Sequence, residues 1–349
     1  MQATPNLMDD PALYPFQVNW ESDQVYLIEA DTAFYSDAAF LDQRAIRPGM
    51  QGNWASLEEV RAQTGAALAQ PMGLIFHVGH CGSTLISRAL GLLDGMFSLR
   101  EPLPLRDLAH FWTDRDTVWS RKNSASIMED MALMRALWSR TPNSGEKSIL
   151  KATSFCSLLA APWLTQFPKD RAVSLSMAPE IYISTVLGAP AYITDLAGGA
   201  KPRMASLMEA IGTSLPSLHS MSAGELAAMT YLAEMTNMQL ASEVAGARVL
   251  QLDFDRYLKD PAASLAALAR HFGHPADKQS IATALRNPIL GRYSKATDYS
   301  FSAQDRRDRL AASRAENSGE ITKGMNWLVD FARTHELTAS ALRAFGYAN

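Results

Sequence analysis

The chain has 349 residues, of which 47% are hydrophobic and 19% are charged, a composition typical of a folded globular protein. Its net charge of −4 argues against general nucleic-acid binding, which usually requires a basic surface. Two cysteines cannot build a disulfide framework, and no stretch reaches the roughly 18 apolar residues of a membrane-spanning helix. The N-terminus lacks the basic and apolar regions of a signal peptide. We therefore expect a cytoplasmic protein, whose oligomeric state the sequence leaves open.

The predicted elements start with a β/α extension over residues 1–70. Within it, FQVNW and QVYLIEA alternate as strands do, and DAAFLDQRA, residues 37–45, is typical of a short helix. From residue 71 to about residue 275 we predict a core that opens with the buried strand GLIFHVG. Residues 190–246 are predicted as a helical insertion in this core, and residues 276–349 as a helical C-terminal region.

Strands and helices alternate along the predicted core. After GLIFHVG, the segments SILKATSF, AVSLSM and RVLQLDF are each typical of a strand, and helical patterns separate them. Alternation at this spacing predicts parallel strands with helices on both faces. We therefore predict one α/β domain over residues 1–349, with a P-loop-type three-layer α/β/α fold and a mostly parallel central sheet.

The stretch FHVGHCGSTLISR, residues 76–88, places a glycine-rich turn between a strand and a helix. A cysteine phosphatase requires five residues between its cysteine and its arginine, but six separate Cys81 from Arg88. One residue of slip rotates a helical side chain by about 100°, which turns Arg88 away from a bound phosphate. A Walker A loop requires four residues between its glycines and then a lysine. Here two residues separate the glycines and Ser83 stands at the lysine position, so both classes are disfavoured.

A strand, a tight glycine turn and a helix start still make a phosphate cradle. The unpaired N–H groups of the first helical turn converge at the positive end of the helix. These groups belong to Gly82, Ser83, Thr84 and Leu85, and two of these residues add hydroxyl donors. The alternative is simple N-capping of the helix, in which no phosphate is bound.

The loop His80-Cys81-Gly82-Ser83-Thr84, the segment MAPEIYISTVL and the segment RVLQLDFDRYLKDPAASLAALARHFGHP follow one another along the chain. In this order they resemble three motifs of the PAPS-dependent sulfotransferase family, most closely of its bacterial members. The loop His80-Cys81-Gly82-Ser83-Thr84 resembles the family's 5′-phosphosulfate loop. The segment MAPEIYISTVL resembles the family's RDPRDVAVS element, and RVLQLDFDRYLKDPAASLAALARHFGHP resembles its late strand and helix. The resemblance covers residues 73 to about 275. It implies transfer of a sulfuryl group from 3′-phosphoadenosine 5′-phosphosulfate (PAPS) to a hydroxyl or amine of an acceptor that the sequence leaves unidentified.

The resemblance also implies roles for individual residues. Residues 80–85 would bind the phosphosulfate, with His80 in place of a basic residue and charged beside the anion. Glu101, in LREPLPLRD, would be the general base, and Lys151, in SILK, would stabilise charge on the bridging oxygen. The alternatives are an exposed loop glutamate paired with Arg100 or Arg106, a solvated lysine and a neutral histidine hydrogen bonded to the backbone.

The 3′-phosphate element departs from the family pattern. Met177 stands where the family has an arginine and cannot neutralise a phosphate, and Thr185 stands where the family has a serine. We predict that Arg292 and Lys295, in GRYSKAT, supply the missing charge to the nucleotide. The alternative is an ordinary basic surface turn.

Two other functions are compatible with the same residues. The cradle would serve a nucleotide-dependent phosphotransferase with a different donor, or a non-catalytic nucleotide- or phosphate-binding protein that has lost the 3′-phosphate site. We predict no metal site, because His271 and His274 lack ligand partners at a suitable spacing.

Overall fold

The computed structural model describes residue 7 and residues 10–64, 70–292 and 302–347. Its N-terminal part contains an antiparallel sheet of three strands, β1 (Leu13–Asn19), β2 (Gln24–Glu29) and β3 (Gly52–Ser56), in that order. Helix α1 (Thr32–Asp37) lies between β2 and β3, and helix α2 (Leu57–Thr64) follows β3. Along the end of β1, buried and exposed residues alternate, as expected for a strand with one face against the core.

The helix predicted over residues 37–45 is wrong. Helix α1 begins earlier because the Asp31 side chain accepts a hydrogen bond from the Phe34 N–H and caps it. The chain after α1 is an irregular loop with one 3-10 turn, Gln43–Ala45. The buried guanidinium of Arg100 donates to carbonyls at the end of α1 and so holds this loop against the central sheet.

Five parallel strands form the central sheet, and its order is β5-β6-β4-β7-β8. They are β4 (Gly73–His77), β5 (Met96–Arg100), β6 (Lys147–Lys151), β7 (Arg171–Ser176) and β8 (Val249–Asp253). The predicted α/β fold with a parallel central sheet is therefore confirmed. Every residue of the central strand β4 is buried, as expected for a strand that helices cover on both faces.

Fourteen further α-helices lie in the described part of the chain after β4. They are α3 (Ser83–Gly91), α4 (Leu103–Asp114), α5 (Ser124–Trp138), α6 (Ala160–Gln166), α7 (Pro179–Leu187), α8 (Pro190–Gly198), α9 (Ala200–Ile211), α10 (Ala223–Ala245), α11 (Phe254–Lys259), α12 (Pro261–His271), α13 (Lys278–Leu285), α14 (Ala303–Glu316), α15 (Ser318–Thr334) and α16 (Glu336–Ala344). Short 3-10 segments stand at Ser154–Leu159, Leu218–Ser220, Gly246–Arg248 and Pro288–Gly291. Within the described residues, none of the helices has the length and apolar character needed to cross a membrane.

Helices pack against the central sheet in two groups. Helix α3 contacts β4 and β5, with α12 and α13 beside it, whereas α10 contacts β4 and β8 together with α6 and α7. The loops that leave the carboxyl ends of β4, β5 and β6 all open at one edge of the sheet, between these groups. In open α/β sheets this edge is where ligands bind.

Candidate active site

A sharp turn after β4 forms the first wall of a cavity of about 980 Å³. Gly82, the N-cap of α3, has φ +75°, which favours glycine, and a Cβ there would lie 2.1 Å from the Phe254 ring. Among the described residues, no side chain caps α3, so simple N-capping does not explain this sequence. The residues Ser83, Thr84 and Leu85 line the cavity. Their N–H groups therefore form a helix end suited to an anion.

His77, the last residue of β4, connects this turn to the neighbouring strand and was not predicted as a site residue. The Gly79 N–H donates to its Nδ1 at 3.0 Å, so Nδ1 carries no proton. Its Nε2 lies 2.9 Å from the Ala152 carbonyl and is the donor there. The imidazole is therefore neutral in this arrangement, and it fixes the glycine turn relative to the loop that follows β6.

His80 lies in the turn with a left-handed φ of +50°, a strained conformation for a non-glycine residue. Its Nε2 is 3.2 Å from Asp195 Oδ2, and its ring stacks on Tyr192 with 3.9 Å between ring centres. Both partners belong to α8, in the predicted helical insertion. The charged form of His80 that the sequence analysis expects stays a prediction.

Cys81 and Arg88, the two residues that a cysteine phosphatase would need, do not line the cavity. The Cys81 thiol is buried beside the Leu175 carbonyl, and burial raises the pKa of this thiol to about 12. Arg88 is buried as well and donates to the Asp37 carbonyl at 3.0 Å. Only the main chain of Cys81 can take part in the cradle, and Arg88 faces away from it, as the spacing predicted.

Glu101 and Lys151 meet at the carboxyl ends of two neighbouring strands. Lys151 ends β6 opposite Arg100, the last residue of β5, and the Glu101 N–H continues the ladder to the Lys151 carbonyl at 2.8 Å. Their side chains form a buried ion pair between Lys151 Nζ and Glu101 Oε1. Both residues line the cavity together with the α3 helix start. Glu101 has a left-handed φ of +52°, a strained conformation of the kind that concentrates at functional sites.

Two further donors hold Glu101, and its side chain is buried rather than exposed, whereas the pairing with Arg106 that the alternative interpretation expects is present. Arg106 Nη2 lies 3.1 Å from Glu101 Oε2, and Thr153 Oγ1 lies 3.3 Å from the same oxygen. The chain of charges continues from Arg106 to Asp42 Oδ2, at 3.3 Å, and from Asp42 to Arg44. Burial alone would raise the pKa of Asp42, but the hydrogen bonds from Arg44 outweigh it and hold that pKa below its usual value.

The predicted 3′-phosphate residues are placed unevenly. Met177 is buried and is not among the residues that line the cavity. Thr185 lines the cavity, with its hydroxyl donating to the Ile181 carbonyl one helical turn back, at 2.7 Å. Arg292 lines the cavity as well, whereas Lys295 lies outside the described residues.

Two arginines that the sequence analysis did not single out line the same part of the cavity. Arg306 and Arg309 belong to the first two turns of α14, whose N-cap Ser302 also lines it. Arg306 lies over the Phe254 ring at 5.5 Å and pairs with Asp255 at 2.8 Å. Its Nη2 atom is buried without a hydrogen-bond partner among the described residues. The spacing of three residues, which puts both arginines on one helix face, was the available signal.

A fully buried ion pair lies behind the part of the cavity wall that contains Ser154. Arg203 Nε donates to Glu234 Oε1 at 2.7 Å, and Arg203 Nη2 donates to Ser154 Oγ at 2.7 Å. Ser154 lines the cavity, and its hydroxyl is 3.3 Å from the place that a side chain on Gly79 would take. Burial raises the pKa of Glu234 to about 7, against the attraction of Arg203. This pair therefore connects helices α9 and α10 to the cavity.

Among the described residues, no group of three or more His, Cys, Asp and Glu side chains is placed to hold a metal ion.

No protein-family model and no curated protein matches the chain. Among solved structures, a sulfotransferase domain from the curacin biosynthetic pathway is similar at 12% identity and a TM-score of 0.43, over 72% of this chain and 99% of that one. Sulfotransferase STF9 from Mycobacterium avium is similar at 13% identity and a TM-score of 0.42, and the match covers 73% of this chain and 79% of that one. A sulfotransferase from Alicyclobacillus acidocaldarius is similar at 13% identity and a TM-score of 0.36, and the match covers 73% of this chain and 95% of that one. All three are sulfotransferases, the family that the sequence motifs resemble, but TM-scores this low carry no argument about function.

Proposed function

We propose that this chain is a sulfotransferase that moves a sulfuryl group from PAPS to a hydroxyl or amine of an acceptor. The observation that carries the proposal is that two separate groups of donors suited to an anion line one cavity. The first is the start of α3, with Ser83, Thr84 and Lys151. The second is the pair Arg306 and Arg309 in the first two turns of α14. PAPS has two anionic groups of this kind, the 5′-phosphosulfate and the 3′-phosphate.

The second group of donors can take the place of the arginine that the family uses to bind the 3′-phosphate of PAPS. Met177 leaves the expected 3′-phosphate position without charge, but Arg292, Arg306 and Arg309 supply cations from another direction. The Phe254 ring packs against Gly82 of the cradle and under Arg306, so a single ring separates the two anion sites. Arginine suits a phosphate because its planar guanidinium donates two parallel hydrogen bonds.

The catalytic step follows from the pairing of Lys151 with Glu101. Lys151 donates to Oε1 of Glu101 and Arg106 donates to Oε2, so both oxygens of the carboxylate already accept hydrogen bonds. When PAPS binds, the ammonium of Lys151 moves to the bridging oxygen between sulfur and phosphorus, which frees Glu101 Oε1. The acceptor oxygen or nitrogen then attacks sulfur while Glu101 takes its proton. The sulfur–oxygen bond to the phosphate breaks, and the charge that builds on the departing phosphate is stabilised by Lys151 and the α3 helix end.

His80 has the role of the basic residue that the family carries at this position. Asp195 Oδ2 lies 3.2 Å from its Nε2, and its left-handed backbone keeps the side chain beside the glycine turn. A cation here adds to the attraction for the phosphosulfate.

Binding of adenosine 3′,5′-bisphosphate (PAP), the product nucleotide, tests the proposal by isothermal titration. We expect PAP to bind and ATP with magnesium not to bind. Arg306→Gln should weaken PAP binding about 10- to 100-fold, since a charged hydrogen bond to phosphate contributes roughly 1.5–3 kcal/mol. The matched control is Arg307→Gln, which removes the same charge from an exposed position on the same helix.

The other outcomes decide between the alternatives. Binding of ATP with magnesium in preference to PAP would overturn the proposal in favour of a phosphotransferase. If neither nucleotide binds, the proposal is also overturned, in favour of a protein that has lost the donor site. Equal effects of Arg306→Gln and Arg307→Gln would remove α14 from the donor site.

A further inference from the structure

Two arginines that line the cavity are held by one buried carboxylate. Asp42 accepts hydrogen bonds from Arg44, through Nε at 2.9 Å and through Nη2, and from Arg106 Nη2 at 3.3 Å. We call Arg44 and Arg106 the acceptor-side arginine pair. All three residues line the cavity.

We propose that the acceptor carries an anionic group, a carboxylate, phosphate or sulfate, close to its reacting hydroxyl, and that the acceptor-side arginine pair binds this group. The inference rests on the proposed function only in naming the ligand as the sulfuryl acceptor. The anion site itself is independent of the identity of the donor.

Donor capacity is the first support. Arg44 donates hydrogen bonds to Asp42 from its Nε and Nη2 atoms. Arg106 donates from Nε to the Thr153 hydroxyl and from Nη2 to the carboxylates of Asp42 and Glu101. The Nη1 group of each arginine has no partner in the described part of the chain. The Arg44 side chain is 60% exposed and the Arg106 side chain 26%, so an arriving ligand can reach both.

Charge is the second support. The ion pairs of the described residues join three cations, Arg44, Arg106 and Lys151, to two carboxylates, Asp42 and Glu101. Asp195 also acts on Arg44, but it is hydrogen bonded to His80. An anionic group on the acceptor would therefore meet cations that outnumber the carboxylates bound directly to them.

Rigidity and distance are the third support. The Arg44 guanidinium lies 3.8 Å above the Phe40 ring, and this contact and the carboxylate of Asp42 fix its plane before a ligand arrives. Arg106 Nη2 lies only 3.1 Å from Glu101 Oε2, the proposed base. An anion on Arg106 therefore places the reacting hydroxyl a few bonds away from that anion.

Two matched probes test the inference by isothermal titration into protein saturated with PAP: 2-hydroxyphenylacetate, which is anionic and has its carboxylate close to its hydroxyl, and 2-hydroxyphenylacetamide, which is neutral and has nearly the same shape. We expect the anionic probe to bind at least about tenfold more tightly, because charge-assisted bonds to arginine are the stronger kind. Arg44→Gln should abolish this preference and leave PAP affinity unchanged, and Arg44→Lys should restore part of it. The control is Arg47→Gln, which removes a charge that pairs with exposed Asp31 at the surface.

Equal affinity for the two probes, including no detectable binding of either, would overturn the inference. So would a preference that survives Arg44→Gln. Failure of the proposed function gives a different result: PAP does not bind, while the preference for the anionic probe persists in the protein without nucleotide.

Discussion

Substituting Gly82 with alanine probes the geometry of the cradle, and the structure sets the size of the effect. The left-handed φ of +75° costs an L-residue about 1–2 kcal/mol. The new Cβ would also lie 2.1, 2.2 and 2.8 Å from three atoms of the Phe254 ring, and overpacking of this kind costs about 1–3 kcal/mol. Gly82→Ala should therefore lower the free energy of unfolding by about 2–5 kcal/mol.

Gly212 provides the matched control. It has nearly the same backbone angles, φ +68° and ψ 19°, at the end of α9, and a Cβ there would meet nothing within 4 Å. Gly212→Ala should therefore cost only the conformational part, about 1–2 kcal/mol. Urea denaturation of both variants measures the difference, which is the contribution of the Phe254 contact. In a Phe254→Ala background, this difference should disappear.

Equal losses in the two glycine variants would refute this reasoning, because they would mean that the Phe254 ring moves away without cost. A persistent difference in the Phe254→Ala background would refute it too. The ring also separates the two anion sites, so its displacement in Gly82→Ala should weaken PAP binding.

Three further predictions concern ionisable groups. Glu101→Gln should reduce turnover about 10²- to 10⁴-fold, the usual contribution of a general base, with PAP affinity unchanged by titration; full turnover would exclude Glu101 as the base. The raised pKa of Glu234, about 7 against an ordinary value of 4.5, contributes stability that is complete below pH 4.5 and is lost as the pH rises through 7. Urea midpoints between pH 5 and 8.5 should fall more steeply for the wild type than for Glu234→Gln, and identical slopes would contradict this. Because burial raises the pKa of Cys81 to about 12, iodoacetamide at pH 8 should leave this thiol unmodified in the folded protein; labelling within minutes, seen by mass spectrometry, would show an accessible thiolate.

The local parts of the site could be predicted from sequence because short-range rules govern them. The sequence predicted a buried strand, a glycine turn and a helix that begins at Gly82 or Ser83, and the structure has that order. Phosphate binding by residues 80–85 stays a prediction. The meeting of Glu101 with Lys151 also follows from a simple rule, since neighbouring parallel strands end at the same edge of a sheet. Their direct ion pair was not predicted, because strand order is not written in the local sequence.

The remaining contacts depend on which distant segments pack together. Asp42 and Arg106 are 64 positions apart, and His80 and Asp195 are 115 apart, so no local pattern relates them. The mistaken helix over residues 37–45 has the same origin, because hydrogen bonds from Arg100 hold the start of that segment as a loop. These tertiary contacts override local helix propensity.

Sulfuryl transfer itself is the most direct test of the central claim. The purified protein would be incubated with PAPS and a mixture of hydroxyl compounds that includes hydroxy acids, and both PAP release and the acceptor mass would be followed by mass spectrometry. We predict acceptor-dependent formation of PAP and an equal amount of a product heavier by one sulfuryl group, with both signals lost in Glu101→Gln. Transfer of a phosphoryl group from ATP in a parallel reaction, with PAPS left intact, would contradict the account.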